Sequence, residues 1–378
     1  MADPIRVGIV GATVTEGGSG WGANAHVPAL AQLGDYELVA VCTSREETAQ
    51  ASAERFGARL AFHDIEDMVA HPDVDLVAVV VRVPGHHNLV MSALRAGKAA
   101  FCEWPLGATL AEAEEMAGLA QEKGLATAVG LQGRSDPAIR YARDLVAQGH
   151  IGEVPTANLS VISQATLRRG PGRIWQSVRA NGANTLTISG GHAMDAFTYI
   201  VGPVDELTSR VTTRITEWYD EETGAPVPVD APDNITVAGR LEGGAEIAMQ
   251  VASVPHQAPG TRMEIYGREG ALFLTSRSPN IGPSTLSGAR AGQALAEIEV
   301  PSEYFVAPEG TPPGPPRNVA HGYARLADAM RGGTAFDPDF EAAVEAHHCW
   351  MLSSARRPRA LQCGCGVATS MGAGTHGR

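Results

Sequence analysis

Ile5-Arg6-Val7-Gly8-Ile9-Val10-Gly11 is a short β-branched run that stops at a glycine, as a parallel strand buried on both faces would. Gly11 to Gly22 follows as a Gly-rich segment and leads into an amphipathic helix ending near Leu33. The same rhythm then recurs. Strands are expected over Glu37–Cys42, Leu60–Phe62, Val74–Val81, Ala99–Cys102 and Ala126–Val129, with helices over Glu46–Phe56, Ile65–Ala70, His86–Ala96 and Leu110–Glu122 between them. Strands alternating with helices imply a doubly wound parallel sheet, a Rossmann fold, over residues 1–131.

The rhythm changes after Leu131. A helix over Pro137–Gln148 closes at Gly149, and Val154–Ser163 alternates as a half-buried strand. Helical spacing returns between Leu186 and Ile200. Consecutive strands then follow over Thr208–Trp218, Asn234–Leu241, Ala245–Val254, Arg262–Tyr266 and Ala271–Leu274. They predict a second α+β domain, residues 132–360, with an open, mainly antiparallel sheet. The Pro-rich stretch Pro301–Pro316 is expected to be a surface loop, and two helices, Ala320–Arg331 and Phe340–Ala355, close the fold. Residues 361–378 read as a disordered tail. Its Cys363-Gly364-Cys365 and His376 supply too few ligands for a metal, and no metal site is expected elsewhere.

The 378 residues exceed one ordinary core, and 44% hydrophobic with 19% charged residues is ordinary for a globular protein. A formal net charge of −13 argues against nucleic acid as a partner. The chain has no apolar run long enough to span a membrane, and its N-terminus lacks a basic region followed by an apolar one; the expectation is a cytoplasmic protein. Five scattered cysteines make no disulfide framework.

Strand, glycine-rich turn and helix N-terminus together suit a pyrophosphate. The literal G-x-G-x-x-G is absent, since Thr13 stands where a second glycine would, while Gly17, Gly18, Gly20 and Gly22 supply freedom further on. Thr13, Thr15 and Ser19 are candidate hydroxyl donors; a flexible surface loop is the competing reading. At the end of the second strand Cys42-Thr43-Ser44-Arg45 offers no carboxylate for a ribose, whereas Ser44 and Arg45 could hold a 2′-phosphate. NADP(H) is therefore expected over NAD(H), although Arg45 is equally readable as the solvated start of a helix.

Taken with these residues, His26-Val27-Pro28-Ala29-Leu30, Pro84-Gly85-His86, Ala96-Gly97-Lys98 and Cys102-Glu103-Trp104-Pro105-Leu106 resemble the Gfo/Idh/MocA superfamily of NAD(P)-dependent sugar and polyol oxidoreductases. Gln132-Gly133-Arg134, Gly149-His150-Ile151-Gly152-Glu153-Val154 and Gly191-His192-Ala193-Met194-Asp195 carry the likeness through the second half. Glu103-Trp104, Leu131 to Arg134, the phosphate loop around Trp21 and Gly191-His192 also resemble the branch of the yeast galactose-regulon repressor, a catalytically silent member that binds a dinucleotide and a transcription activator.

The resemblance implies that Gly8, Gly11, Gly20 and Trp21 border the cofactor, with His86, Glu103, Pro105 and Gln132 at its nicotinamide end. It also implies an active site built from the lysine of an E-K-P motif, an Asp four residues before the second-domain His, and that His. Here those positions hold Trp104, Ile188 and His192, and only Lys98 and Lys123 occur in the whole chain.

His192 is left as the acid/base candidate, or it is a structural histidine. Asp195 could orient it or bind a substrate hydroxyl, or simply be solvated. Trp104 could stack on the nicotinamide or a sugar face, or fill the space of the missing lysine. The resemblance puts Arg168, Arg169, Arg173, Trp175, Gln176 and Arg179 beside the substrate pocket, with Arg173 and Trp175 as candidate contacts; an anionic or carboxylated sugar derivative is one reading, and a solvated basic loop or a dimer contact is the alternative. The expected function is oxidation or reduction of a sugar, polyol or related compound, and the alternative is a silent cofactor- or ligand-sensing regulator. By analogy with the superfamily, a homodimer or homotetramer is expected.

Overall fold

A computed structural model describes residues 3–14 and 20–355. Thr15, Gly17, Gly18, Ser19 and the tail with Cys363, Cys365 and His376 lie outside the described residues.

Six strands, β1 Ile5–Val10, β2 Tyr36–Cys42, β3 Leu60–Phe62, β4 Leu76–Val79, β5 Ala99–Cys102 and β6 Thr127–Val129, form one sheet in the order β3-β2-β1-β4-β5-β6. Every pairing in it is parallel. This is the doubly wound sheet the sequence predicts, and its order reverses between β1 and β4, where such folds place a ligand. The run reads as apolar because both faces are covered: Val7, Ile9, Val39, Val41 and Val77 are fully buried.

The second sheet is assembled from β7 Thr156–Gln164 and, after a short β8 Arg168–Arg169, from β9 Val204–Thr212, β12 Asn234–Leu241, β13 Glu246–Val254, β14 Gly260–Tyr266, β15 Gly270–Ser276, β16 Thr285–Arg290 and β17 Ala296–Glu297. Its order is β17-β16-β15-β14-β7-β13-β12-β9. Only β7 and β13 run parallel; the other neighbours are antiparallel. One face packs against the helices Pro137–Ala147 and Gly191–Val201, while Thr236, Ala238, Ala248 and Gln250 are exposed on the other. A three-stranded ribbon joins β8 to β10 Glu217–Asp220 and β11 Pro226–Pro228.

The strand expected over Thr208–Trp218 divides into β9 and β10. Asp233 causes the break: its carboxylate accepts from the backbone N–H of Arg214 (2.8 Å) and of Ile215 (2.6 Å), taking those donors off the ladder. The helix expected over Ala320–Arg331 extends over Pro315–Gly332 and returns to the first sheet, where Val319, Tyr323 and Leu326 join Ile5, Val7 and Phe101 in one apolar cluster. No helix among the described residues is long and apolar enough to cross a membrane.

Candidate active site

The turn after β1 is shaped by close approach. Gly11 has φ +100°, and a Cβ there would lie 2.2 Å from the Val80 carbonyl oxygen. Gly22 opens the helical segment running to Leu30, and a Cβ on it would sit 3.0 Å from Ala12 Cα. Backbone therefore lines this cleft without side chains in the way, as a dinucleotide's phosphates require. Trp21 adds a buried indole N–H that has no hydrogen-bond partner among the described residues. The donor set and the glycine cradle fit a pyrophosphate. Gly8 lies deeper, where Met68 and Val74 close on β1, and Gly20 takes φ +67° just before the helical segment. Thr13 is half-buried beyond the strand end. Ser44 and Arg45 are exposed beyond β2; Arg45 precedes the helix Glu46–Phe56 and makes no ion pair among the described residues.

At the C-terminal end of β5 the chain turns through a cis Trp104–Pro105 peptide. His86 holds that turn: its buried ring nitrogens face the carbonyls of Pro105 (2.8 Å) and Val81 (3.1 Å). Burial pulls its imidazole below the usual range.

Glu103 is the centre of a buried network. His26 Nε2 lies 2.8 Å from its Oε1, and the Gln132 amide donates to both carboxylate oxygens at 2.9 and 3.1 Å. A carboxylate can only accept, so His26 donates through Nε2, and its Nδ1 shares a hydrogen bond with the Tyr323 hydroxyl 2.9 Å away. Burial pushes the Glu103 carboxyl up, but the His26 hydrogen bond and charge, with Gln132 behind them, hold it below the ordinary carboxylate value. His26 and Tyr323 were not among the candidates read from sequence. They sit 297 positions apart, and only the returning helix brings them together.

Trp104, 5% exposed, reaches into the second half of the molecule. Its indole donates to the Thr187 carbonyl at 2.7 Å, and its ring packs on His347 with centroids 4.7 Å apart. His192 begins the same helix as Gly191, against which the indole lies; it is 3% exposed, its Nδ1 lacks a partner, and burial draws its imidazole down to about 4. Asp195 makes no hydrogen bond to His192. Its buried carboxylate binds Arg134 through Nε (3.0 and 3.2 Å) and Nη2 (2.7 Å), and Arg134 also pairs with Asp337. Burial raises Asp195 despite that partner.

A cavity of about 910 Å³ opens between the two sheets. Val81, His86, Glu103 and Trp104 line its floor, and Arg169, Arg173, Trp175, Asn184, Trp218 and Asn280 line the far wall. The helix before His192 contributes Ile188 and Ser189. Arg173 and Trp175 thus share the cavity with Trp104, while Arg168 and Arg179 stand exposed outside its lining.

Fold and site define a dinucleotide-binding Rossmann half joined to an open-sheet half, with a polar cavity at the junction. Residues 5–131 match the model of the Gfo/Idh/MocA oxidoreductase family, NAD-binding Rossmann fold, and residues 137–276 match that of the Gal80p C-terminal domain. The chain is 31% identical over 254 residues to the dehydrogenase aclE of Aspergillus oryzae, covering 64% of this chain and 69% of that protein. It is 29% identical over 262 residues to the galactose/lactose metabolism regulatory protein GAL80 of Saccharomyces cerevisiae, covering 64% of this chain and 59% of the regulator. Levoglucosan dehydrogenase in complex with NADH and levoglucosan shares the fold, with a TM-score of 0.81 at 20% identity over 93% of this chain and 96% of that one. The chain belongs to the Gfo/Idh/MocA oxidoreductase family and carries a Gal80-like C-terminal domain.

Proposed function

We propose that the protein is a nicotinamide-dependent oxidoreductase acting on a CH–OH group of a carbohydrate or polyol. The observation that carries this reading is the cavity. It continues from the nicotinamide end of the dinucleotide cleft, at Val81, His86 and Glu103, onto a wall of arginine, asparagine and tryptophan suited to a polar, ring-shaped ligand.

When bound, the nicotinamide supplies the hydride donor or acceptor. Glu103 is fixed in position by His26 and Gln132 and presents a carboxylate to that end of the cleft. Trp104, tied to Thr187, gives the pocket a rigid apolar floor where a lysine would have stood. His192 is neutral at pH 7 and is assigned the proton exchange. Asp195 acts through Arg134, bracing the helix that carries His192.

NADP(H) is assigned over NAD(H) because Thr43-Ser44-Arg45 puts no carboxylate at the tip of β2 and exposes Arg45 to a 2′-phosphate. The exposed outer face of the eight-stranded sheet supports a homodimer or homotetramer, which a solution mass checks.

One observation favours a second reading, a regulator that binds cofactor without turnover. Trp104 is sealed by its own hydrogen bond, and His192 is buried with a depressed pKa, so no residue at the three family positions is a strong acid at neutral pH. Incubating the protein with NADP⁺ or NAD⁺ and pools of sugars, polyols and sugar acids separates the two. Growth of reduced-nicotinamide absorbance is expected; calorimetric binding of both cofactors without turnover on any pool transfers the assignment to the regulator.

A further inference from the structure

The cations that line the cavity form no ion pair among the described residues. Arg169 lies with its guanidinium 4.4 Å above the Trp218 ring, and its Nε is buried without a hydrogen-bond partner. Burial, and then the nearby Arg173, make its charge unfavourable as it stands. Arg277 lines the same space. Among the described residues none of the three forms an ion pair. Two acids also face the cavity, but both are already satisfied. Glu103 is held by His26 and Gln132, and Asp233 accepts from the backbone of Arg214 and Ile215. Asp220, opposite Arg169 in the β8–β10 pairing, has its carboxylate on Glu222 and Thr223, Glu221 is exposed, and neither makes an ion pair with Arg169.

We propose that the cavity takes an anionic carbohydrate, one bearing a carboxylate or phosphate group, with Arg169 as the primary anchor and Arg173 beside it. An unmatched, partly buried guanidinium stacked on an indole has one orientation left to it. Its planar donors suit the oxygens of a carboxylate or phosphate, which a neutral sugar hydroxyl matches poorly. Burial and the neighbouring Arg173 disfavour the charge on Arg169, and an anion beside it relieves that. Trp175 is fixed by its own N–H bond to the Gly172 carbonyl (2.9 Å) and offers a flat wall for the sugar ring.

This inference deepens the oxidoreductase reading but is testable without it. With the protein saturated in NADP⁺, calorimetry is run with glucuronate, gluconate, glucose 6-phosphate, glucose and glucitol. An anionic member is expected to bind at least tenfold more tightly than its neutral counterpart, with a preference that shrinks as salt is raised. Arg169→Gln, which keeps a polar stem, is expected to reduce the anionic-to-neutral ratio at least tenfold. Carboxylate or phosphate as the tighter ligand identifies which acid group is read. Binding of an anionic member without turnover upholds the inference while refusing the oxidoreductase reading. Equal affinity for neutral and anionic members, a ratio unmoved by Arg169→Gln, or no anionic binding while NADP⁺ binds would overturn it.

Discussion

The indole Nε1 of Trp104 donates a 2.7 Å hydrogen bond to the carbonyl of Thr187, so Trp104 ties the nucleotide half to the helical segment that precedes His192. The contact is close-fitting. A Cβ added at Gly191 would lie 2.4 Å from that same nitrogen. Trp104→Phe, which leaves the Thr187 carbonyl without its donor, is expected to cost about 1 to 2 kcal/mol. Gly191→Ala should cost about 1 to 3 kcal/mol by overpacking. Urea unfolding of each variant measures both, and a neutral Gly191→Ala would remove the argument for a tight seat.

The Tyr323–His26–Glu103–Gln132 network should behave as a unit. Tyr323→Phe is expected to lose about 1 to 2 kcal/mol, and Glu103→Ala about 3 to 5 kcal/mol, because it strands two buried donors. In a double-mutant cycle the two should couple by about 0.5 kcal/mol or more, although their side chains are not in direct contact. Strict additivity would mean that His26 does not transmit between them.

Acid should unfold the protein early. His192, His321 and His347 are each drawn by burial to about 4 in the folded chain, and the backbone N–H of Ala307 donates to His321 Nδ1, which a proton there would forbid. Free imidazoles titrate near about 6.5, so the unfolded chain takes up these protons first as the pH falls. Stability is therefore full above about pH 6.5 and declines toward pH 4, by up to about 1.4 kcal/mol per pH unit for each histidine. Asp136, raised by burial to about 6, and Asp195, also raised, bind protons in the folded chain and offset part of this. A net loss of about 2 to 3 kcal/mol per unit is expected between pH 6.5 and 5, and His347→Leu should remove roughly one proton from the slope. Unfolding midpoints that are flat across this range would contradict it.

On the proposed NADP(H) preference, Arg45→Ala should weaken NADPH binding about tenfold or more and leave NADH nearly unchanged, since the exposed guanidinium beyond β2 makes no ion pair among the described residues. Equal losses for both dinucleotides would return Arg45 to the role of a helix-start residue.

Most of the nucleotide half was legible in the sequence because fully buried parallel strands are continuous apolar runs with glycine at their ends, as β1 shows. Glu103, Trp104 and Pro105 were legible as a group because one turn after β5 holds all three, and His86 because it opens the helix after β4. His26 and Tyr323 were not: His26 precedes Val27 and Pro28 in a stretch that reads as ordinary helix, and its partner lies on a helix that crosses back from the far end of the chain. The buried polar atom at His26, with no local residue to satisfy it, was the available signal. Asp195 has the helical spacing to reach His192, yet Arg134 claims it, and one-dimensional spacing carries no record of such a competitor. The split of Thr208–Trp218 was hidden for the same reason, since Asp233 acts from the neighbouring strand.

The central claim is that this site works around tryptophan rather than in spite of it. Nicotinamide reduction on the accepted carbohydrate, measured side by side for the wild type and Trp104→Lys after melting curves establish that both are folded, tests it most directly. The account predicts turnover in the wild type and a fall of about tenfold or more in Trp104→Lys, whose side chain can neither fill the seat against Gly191 nor bridge rigidly to Thr187. A silent wild type in which Trp104→Lys awakens turnover would contradict it and identify the chain as a binding protein that has lost its acid.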